Sequence, residues 1–345
     1  MAQAQRIPAP HRHRGSRTAR LGAGWLGALA VLAVVTLVSV CVGATFVFPG
    51  TVLDALLHYD PARLDELAVR TLRLPRTLVG LAAGAGLGLA GAILQSSVRN
   101  PLADPGILGI NAGAALAIVL GLTTMGSLTG ASTAGLALAG AATAAAVVHL
   151  LARRSRGPVT LLLAGTALTA ILTSAISAVL LTDGGTFAQF RFWQVGSLTG
   201  RPVPVLLAST ALLVPALGCG LLLGRALNVQ SLGEDLAISL GQRAAPAKLL
   251  SGAVVVVLSG VSTAIAGPIG FLGLLVPHLA RLITGPDQRW VLRYSVLLGP
   301  LLLVLADLLG RFAAGPAELP AGVVTAVLGT PVLIVLARRR KLSPV

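Results

Sequence analysis

Residues able to carry out chemistry are few in this chain and lie far apart. None of the isolated residues His58, His149 and His278 is followed by a second ligand three or four positions later, so the sequence predicts no metal or haem site. No phosphate-binding loop of the Walker type occurs, and no nucleophile stands in a context that offers it a base. Cys41 and Cys219 lie in apolar runs and indicate packing, not a disulfide framework. The sequence therefore predicts no catalytic residue, no metal and no cofactor in this chain.

One acidic residue, Asp307, lies inside a predicted membrane span. An acid at that depth is a functional candidate by default, for example in a proton relay. Arg311 follows four residues later, one turn away on the same helix face, so a structural ion pair is equally compatible with the sequence. Both roles stay open at this stage.

Gly86, Gly88 and Gly91 match the G-x-G-x-x-G pattern of dinucleotide-binding proteins. That interpretation requires a strand before the motif and a βαβ unit around it. Here the motif lies inside a long apolar run that also contains Gly80 and Gly84. Because small residues four apart let membrane helices approach closely, we interpret the motif as a helix-packing surface.

The elements that hold these residues must lie in a membrane. Hydrophobic residues make up 55% of the chain and charged residues only 11%, against about 25% charged residues in soluble domains. The mean hydropathy is +0.89, and the apolar runs reach the roughly 20 residues that a spanning helix needs. The alternating segments typical of membrane barrels are absent, so helices must satisfy the backbone in lipid.

We predict an all-α, polytopic membrane protein of about ten transmembrane helices. A basic cytoplasmic tail, residues 1–20, precedes a single transmembrane domain, residues 21–340. The predicted spans are 21–48, 77–98, 106–122, 128–151, 159–182, 203–224, 246–267, 269–285, 291–312 and 319–337.

The distribution of basic residues predicts the orientation of these spans. With the N-terminus in the cytoplasm, 19 of the 26 Lys and Arg residues fall inside, which agrees with the positive-inside rule and places both termini in the cytoplasm. Arg73 and Arg76 run against this bias and need another explanation.

Six segments, taken together, resemble the FecCD-type permeases, the membrane subunits of type II ABC importers for ferric siderophores, haem and cobalamin. They cover 73–76 (RLPR), 95–109 (QSSVRNPLADPGILG), 231–241 (SLGEDLAISLG), 267–281 (GPIGFLGLLVPHLAR), 307–311 (DLLGR) and 318–331 (ELPAGVVTAVLGTP). The motif positions without a more specific role are Asn100, Pro101, Asp104, Pro105, Gly267, Pro268, Pro277, His278, Asp307, Glu318, Pro320, Gly322 and Pro331.

The resemblance implies a multi-pass subunit of the cytoplasmic membrane that pairs with a second permease subunit, identical or paralogous. The substrate path would run along their interface, ATP and Mg²⁺ would bind to two cytoplasmic ATPase subunits, and a binding protein would dock from outside. The chain itself would be neither an enzyme nor a nucleic-acid-binding protein. Ferric siderophore is the commonest cargo of the family and is the predicted substrate, with cobalamin and haem as alternatives.

Two other classes of function are compatible with a polytopic helical protein. A secondary transporter driven by an ion gradient usually carries ionisable residues or broken helices at the bilayer midplane, and only Asp307 is a candidate here. A channel would need a ring of charges or a filter-like segment, and the sequence contains neither.

Segment 231–241 lies in the longest predicted cytoplasmic loop. The resemblance implies that it is the coupling element seated in a groove of the ATPase. Acids are favoured where a helix begins and glycine where it ends, so we expect a short helix here, with a plain solvated loop as the alternative. The residues predicted to couple are Ser231, Leu232, Gly233, Glu234, Asp235, Ala237, Leu240 and Gly241.

The resemblance also implies that Arg73, Arg76 and Arg311 receive acidic residues of the binding protein. Arginine suits this role because its planar fork binds a carboxylate in a bidentate manner. Contacts with lipid head groups, or local ion pairs with Asp65, Glu66 or Asp307, are the alternatives.

Pro101, Pro105, Pro277 and Pro331 lie at or within predicted spans. Proline removes a backbone hydrogen bond and kinks a helix. The resulting breaks are compatible both with hinges near a translocation path and with a purely structural role.

Overall fold

A computed structural model of the chain describes residues 14–43, 45–152, 158–200, 203–231, 244–313 and 318–338, together with Gly233, Leu236 and Ser239. Within these residues every regular element is helical, which confirms the all-α prediction. The α-helices are α1 (Arg14–Cys41), α2 (Pro49–Leu57), α3 (Leu64–Ala68), α4 (Leu74–Val98), α5 (Ile110–Met125), α6 (Gly130–Ala152), α7 (Pro158–Thr182), α8 (Gly184–Gln194), α9 (Val203–Leu222), α10 (Gly224–Ser231), α11 (Ala244–Ala266), α12 (Leu272–Thr284), α13 (Gln288–Ala313) and α14 (Ala321–Arg338). A π-helical turn (Val69–Arg73) joins α3 to α4, and a 3-10 helix (Pro105–Leu108) precedes α5.

The apolar helices agree with the predicted spans. In the described part of the chain, seven helices are long and apolar enough to cross a bilayer, among them α1, α4 and α13. Three shorter apolar helices, α5, α12 and α14, occupy the remaining predicted positions. The ten segments therefore correspond to the ten spans expected from the sequence.

Two spans begin later than predicted because the backbone turns before the helix starts. The span expected from residue 106 begins at Ile110, after the 3-10 helix ends at Gly109 with a φ of 76°. The span expected from residue 269 begins at Leu272, because Phe271 adopts a φ of 66°. Both turns need left-handed backbone, which apolar periodicity does not reveal.

Short helices occupy connections between the predicted spans. Helices α2 and α3 fill the segment after α1, which ends at Cys41 and not at Phe48. Helix α8 lies in the connection after α7, where the Asp183 side chain accepts a hydrogen bond from the Gly185 amide. These helices are shorter or more polar than membrane spans, so a search for about 20 consecutive apolar residues does not detect them.

Helix α4 forms the centre of the bundle and is buried along almost its whole length. Its glycines make this position possible. A Cβ at Gly84 would lie 2.6 Å from Pro300 Cα, one at Gly88 would lie 2.7 Å from the Ser295 carbonyl oxygen, and one at Gly91 would overlap the backbone of Gly273. The prediction that these glycines serve helix packing is confirmed.

Candidate functional site

Five charged residues meet at one end of the bundle and form what we call the charge cluster: Arg73, Arg76, Asp307, Arg311 and Glu318. Arg73 ends the π-helical turn, and Arg76 lies in the first turn of α4. Asp307 and Arg311 lie near the end of α13, and Glu318 lies three residues before α14. The three arginines are all less than a tenth exposed.

Asp307 is the central acceptor of the charge cluster. Arg76 donates from Nε to both Asp307 oxygens at 3.0 Å and from Nη2 to Oδ1 at 2.9 Å. Arg311 donates from Nη2 to Oδ2 at 2.7 Å, so the expected ion pair within α13 is present. With both oxygens occupied by guanidinium groups, Asp307 acts as the shared counter-ion of two arginines in this conformation.

The end of α1 supplies the other acceptors of the cluster. Arg311 donates from Nη1 to the carbonyl oxygens of Ser39 and Val42 at 2.7 and 2.6 Å. Arg73 donates from Nη1 to the Cys41 carbonyl oxygen at 2.7 Å and from Nη2 to the Thr45 carbonyl oxygen at 2.8 Å. The last carbonyls of a helix lack partners within it and attract cations, so the two arginines cap α1. Sequence reasoning missed this role, although the excess of arginine over acid in these segments was a signal for it.

Glu318 connects the charge cluster to the surface. Its carboxylate pairs with Arg76 Nη1, and its side chain is 42% exposed, whereas that of Asp307 is 3% exposed. No guanidinium of the cluster presents an open face to solvent in this conformation. The docking role of the arginines stays a prediction, and their contacts within the chain are structural.

Of the two other acids considered as partners for these arginines, Asp65 is exposed on α3 and Glu66 is engaged elsewhere. Glu66 is buried and accepts hydrogen bonds from the Arg63 guanidinium at 3.0 Å and the Asp60 amide at 2.8 Å. The local ion pairs of the charge cluster are therefore those with Asp307 and Glu318.

At the opposite end of α4 and α13, polar contacts tie helix α10 to the bundle. Asn228 Nδ2 donates to Asp287 Oδ1 at 2.7 Å, and the Gln288 amide donates to Asn228 Oδ1 at 2.7 Å. Burial opposes ionisation of Asp287, but hydrogen bonds from Asn228 and Arg289 outweigh it and hold the pKa of Asp287 below its ordinary value. Helix α10 is thus held at the first residues of α13.

The predicted coupling residues begin with the last residue of α10. Ser231 ends that helix, and Gly233 follows with a φ of 114°. A Cβ at Gly233 would lie 3.9 Å from Arg99 Nη1, at the end of α4. The coupling segment therefore starts near the last residue of α4 and the first residue of α13. The charge cluster lies at the opposite ends of these two helices. The remaining predicted residues lie outside the described part of the chain: Leu232, Glu234, Asp235, Ala237, Leu240 and Gly241.

The Asn100–Pro105 motif forms turns between α4 and α5. Asn100 Oδ1 accepts from the Leu102 amide at 2.9 Å, and Asp104 Oδ1 accepts from the Gly106 amide at 2.7 Å. Pro105 opens the 3-10 helix and Pro101 precedes it. Burial raises the pKa of the Asp104 carboxyl to about 6, against the opposing effect of the Gly106 hydrogen bond.

Two motif glycines, Gly267 and Gly322, and Gly196 outside the motifs bring the segments beside α8, α12 and α14 together. A Cβ at Gly267 would lie 2.6 Å from the Trp193 carbonyl oxygen, and one at Gly196 would lie 2.6 Å from the Pro268 carbonyl oxygen. The Gly322 amide donates to the Gly196 carbonyl oxygen at 3.1 Å. Pro320 accepts the first backbone hydrogen bonds of α14. These motif positions are close-packing positions.

His278 and Pro277 lie in α12 and Pro331 in α14. His278 is buried with Arg281, which donates from Nη1 to Gln95 Oε1 at 2.8 Å. Arg281 Nε and Nη2 have no hydrogen-bond partner among the described residues. The described residues contain no group of three His, Cys, Asp or Glu side chains able to hold a metal ion.

Apolar helices of membrane-spanning length, with charged and polar contacts gathered at opposite ends of α4 and α13, define a polytopic helical membrane protein. The model of the FecCD transport family matches residues 31–339. The chain belongs to the FecCD transport family.

Curated relatives match over nearly their whole length. The ferric enterobactin transport system permease protein FepD of Escherichia coli K12 is 44% identical over 320 residues, 91% of this chain and 94% of that protein. The vitamin B12 import system permease protein BtuC of Salmonella arizonae is 38% identical over 316 residues, 90% of this chain and 92% of that protein. The chain is similar to permeases with different named cargoes.

The fold is similar to that of a solved metal-chelate type ABC transporter in an inward-facing conformation. The TM-score is 0.82 at 27% sequence identity, with 92% of this chain and 99% of that chain covered. The protein is thus an ABC importer permease, a multi-pass protein of the cytoplasmic membrane. In this family the ATPase is a separate subunit, and a second permease subunit and a substrate-binding protein are the other partners.

Proposed function

We propose that this permease carries a ferric siderophore complex across the cytoplasmic membrane, with energy from ATP hydrolysed on the separate ATPase. The observation that carries the proposal is the 44% identity, over 91% of the chain, to a permease named for ferric enterobactin transport. A permease named for vitamin B12 is 38% identical over a similar length, so cobalamin, like haem, is an alternative cargo within the same family.

The test of the cargo is uptake by cells that lack this gene. Labelled ferric enterobactin, a ferric hydroxamate, haem and cobalamin are supplied separately, with and without a restored copy. Loss of uptake of a ferric siderophore alone, rescued by the copy, supports the proposal. Loss of cobalamin or haem uptake alone replaces the cargo but leaves the ABC mechanism in place.

We further propose that the N-terminus is cytoplasmic and that the segment from Ser231 to Gly241 couples the permease to the ATPase. Two observations support this role. The segment begins at α10, which Asn228 holds to the start of α13, and Gly233 lies beside Arg99 at the end of α4. Helices α4 and α13 extend from this segment to the charge cluster, and each is about 38 Å long at 1.5 Å per residue. A displacement of the segment would therefore be transmitted along these helices to the charge cluster.

Charge reversal tests the coupling role. The double variant Glu234→Lys/Asp235→Lys should lose co-purification of the ATPase, and Asp65→Lys serves as control because Asp65 is exposed on α3 at the end of the bundle that carries the charge cluster. Equal ATPase recovery from both variants would remove the coupling segment from the proposal.

Docking of the binding protein is proposed to occur at the charge cluster, with Arg73, Arg76 and Arg311 as its cationic groups. In this conformation an incoming carboxylate must replace an internal acceptor. Glu318 is the acceptor that can be replaced most readily, because it is 42% exposed, whereas Asp307 is almost fully enclosed. We propose that a carboxylate of the binding protein exchanges with Glu318 on Arg76.

Removal of the competing carboxylate tests this exchange without altering any arginine. Glu318→Gln should lower the dissociation constant of the binding protein by up to about fivefold, since partly exposed ion pairs contribute roughly 0–1 kcal/mol. Asp65→Asn, an exposed acid on α3, is the matched control. The dissociation constants are measured by surface plasmon resonance. Equal values for Glu318→Gln and the wild type would show that Arg76 is not a docking group.

A further inference from the structure

A large open cavity lies between α4, α6 and α11, on the side of the bundle away from the charge cluster. Its volume is about 580 Å³, within the roughly 300–1,000 Å³ typical of small-molecule sites. Its wall is mainly apolar and includes Leu94 and Val98 of α4, Val148 of α6 and Val255 of α11. Leu94 and Val98 lie in the last turns of α4, so the cavity lies at the same end of the bundle as the coupling segment.

The mouth of the cavity opens on the outer surface of the bundle. Ala146, His149, Lys248 and Gly252 line the cavity and are exposed. His149 lies in the last turn of α6 and Lys248 in the first turns of α11, where helices of this length meet the bilayer interface. A cationic residue therefore lies where an apolar space meets the head-group region.

We propose that this cavity binds an anionic phospholipid of the surrounding bilayer. An apolar wall disfavours filling by water, and the bilayer supplies acyl chains to a mouth at its surface. Lys248 favours an anionic over a zwitterionic head group, as basic pockets between membrane helices do. The proposal does not depend on the transported cargo.

A glycine in the wall allows the cavity to be filled without disturbing the fold. A Cβ at Gly252 would meet no atom within 4 Å, so Gly252→Leu places its side chain in the open space. Gly218 on α9 is equally open, exposed and helical but does not line the cavity, so Gly218→Leu is the matched control. Lys248→Gln tests the head group and leaves the apolar wall intact.

The experiment is native mass spectrometry of the full chain after equilibration with equal amounts of phosphatidylglycerol and phosphatidylcholine. We expect the wild type and Gly218→Leu to retain phosphatidylglycerol preferentially, and Gly252→Leu to retain at least about fivefold less. Lys248→Gln should retain lipid but lose about fivefold of the preference for phosphatidylglycerol, the ratio that corresponds to ~1 kcal/mol per lysine near an anionic surface.

Three outcomes would overturn the proposal. The first is equal lipid retention by Gly252→Leu and Gly218→Leu, and the second is no preference for phosphatidylglycerol in the wild type or an unchanged preference in Lys248→Gln. The third is loss of permease dimers, not of lipid, in Gly252→Leu, which would assign the cavity mouth to the subunit interface. Far-ultraviolet circular dichroism of each variant checks that the helical fold is intact.

Discussion

The charge cluster predicts that Asp307→Asn destabilises the permease strongly. The side chain keeps its size, but one carboxylate oxygen becomes an amide donor that faces the guanidinium donors of Arg76 or Arg311. Asp307 is 3% exposed at its side chain, so water cannot replace the lost charge. Removal of one partner from a buried ion pair costs about 3–5 kcal/mol.

The assay is thermal unfolding of the purified protein in detergent, followed by circular dichroism. At about 2 °C per kcal/mol, the value for larger domains, the expected decrease in Tm is roughly 6–10 °C. Asp183→Asn is the control, because Asp183 caps the exposed start of α8 and asparagine caps a helix about as well as aspartate. Its Tm should change by less than about 2 °C.

A second variant separates unpaired charge from lost contacts. Arg76→Met/Asp307→Leu/Arg311→Met removes Asp307 together with its two guanidinium partners, and such apolar replacements are often close to neutral. We expect the triple variant to be more stable than Asp307→Asn. The reasoning is refuted if Asp307→Asn lowers the Tm no more than Asp183→Asn, or if the triple variant is the least stable of the three.

The remaining predictions concern the helix contacts, the α4–α5 connection and the link to the coupling segment. Gly91→Ala should abolish accumulation of folded protein in membranes, because its Cβ would overlap the backbone of Gly273; normal levels on an immunoblot would contradict this packing. The pKa of Asp104 is raised to about 6, so its folded form holds a proton more tightly than its unfolded form, and the stability it contributes is full below about pH 3.8 and is lost as the pH rises through about 6. Asp104→Asn should therefore raise the Tm relative to the wild type more at pH 7.5 than at pH 4.5, and a pH-independent difference would exclude this titration. Asn228→Ala removes both hydrogen bonds that hold α10 to α13 and should reduce substrate-stimulated ATPase activity of the assembled transporter several-fold. The Tm should fall by only a few degrees, since each bond contributes about 1 kcal/mol. Unchanged stimulation would show that α10 does not transmit the ATPase movement.

Local patterns predicted much of this fold. The apolar runs identified the ten membrane segments, and the glycine spacing along α4 identified a helix-packing surface, whose partners are α12 and α13 in the structure. The spacing of Asp307 and Arg311 predicted their ion pair, because residues four apart on a helix are neighbours. Periodicity failed at Phe271 and Gly109, where a left-handed backbone delays the start of a helix. It also missed the short helices α2, α8 and α10, whose formation depends on caps and contacts made by other parts of the chain.

The sequence by itself determined the membrane environment, the all-helical class and the family, since these follow from composition, apolar length and motif order. Only the tertiary structure decided the surroundings of Arg73 and Arg76. As positions that break the charge bias, both looked like open docking groups, but Arg76 meets Asp307 across 231 residues of chain, and Arg73 caps α1. Such partners are brought together by the packing of α1, α4 and α13, and no local pattern encodes which helices will meet. The burial of a charge and the choice of its counter-ion therefore depend on long-range packing, whereas the need for a counter-ion is already present in the amino-acid sequence.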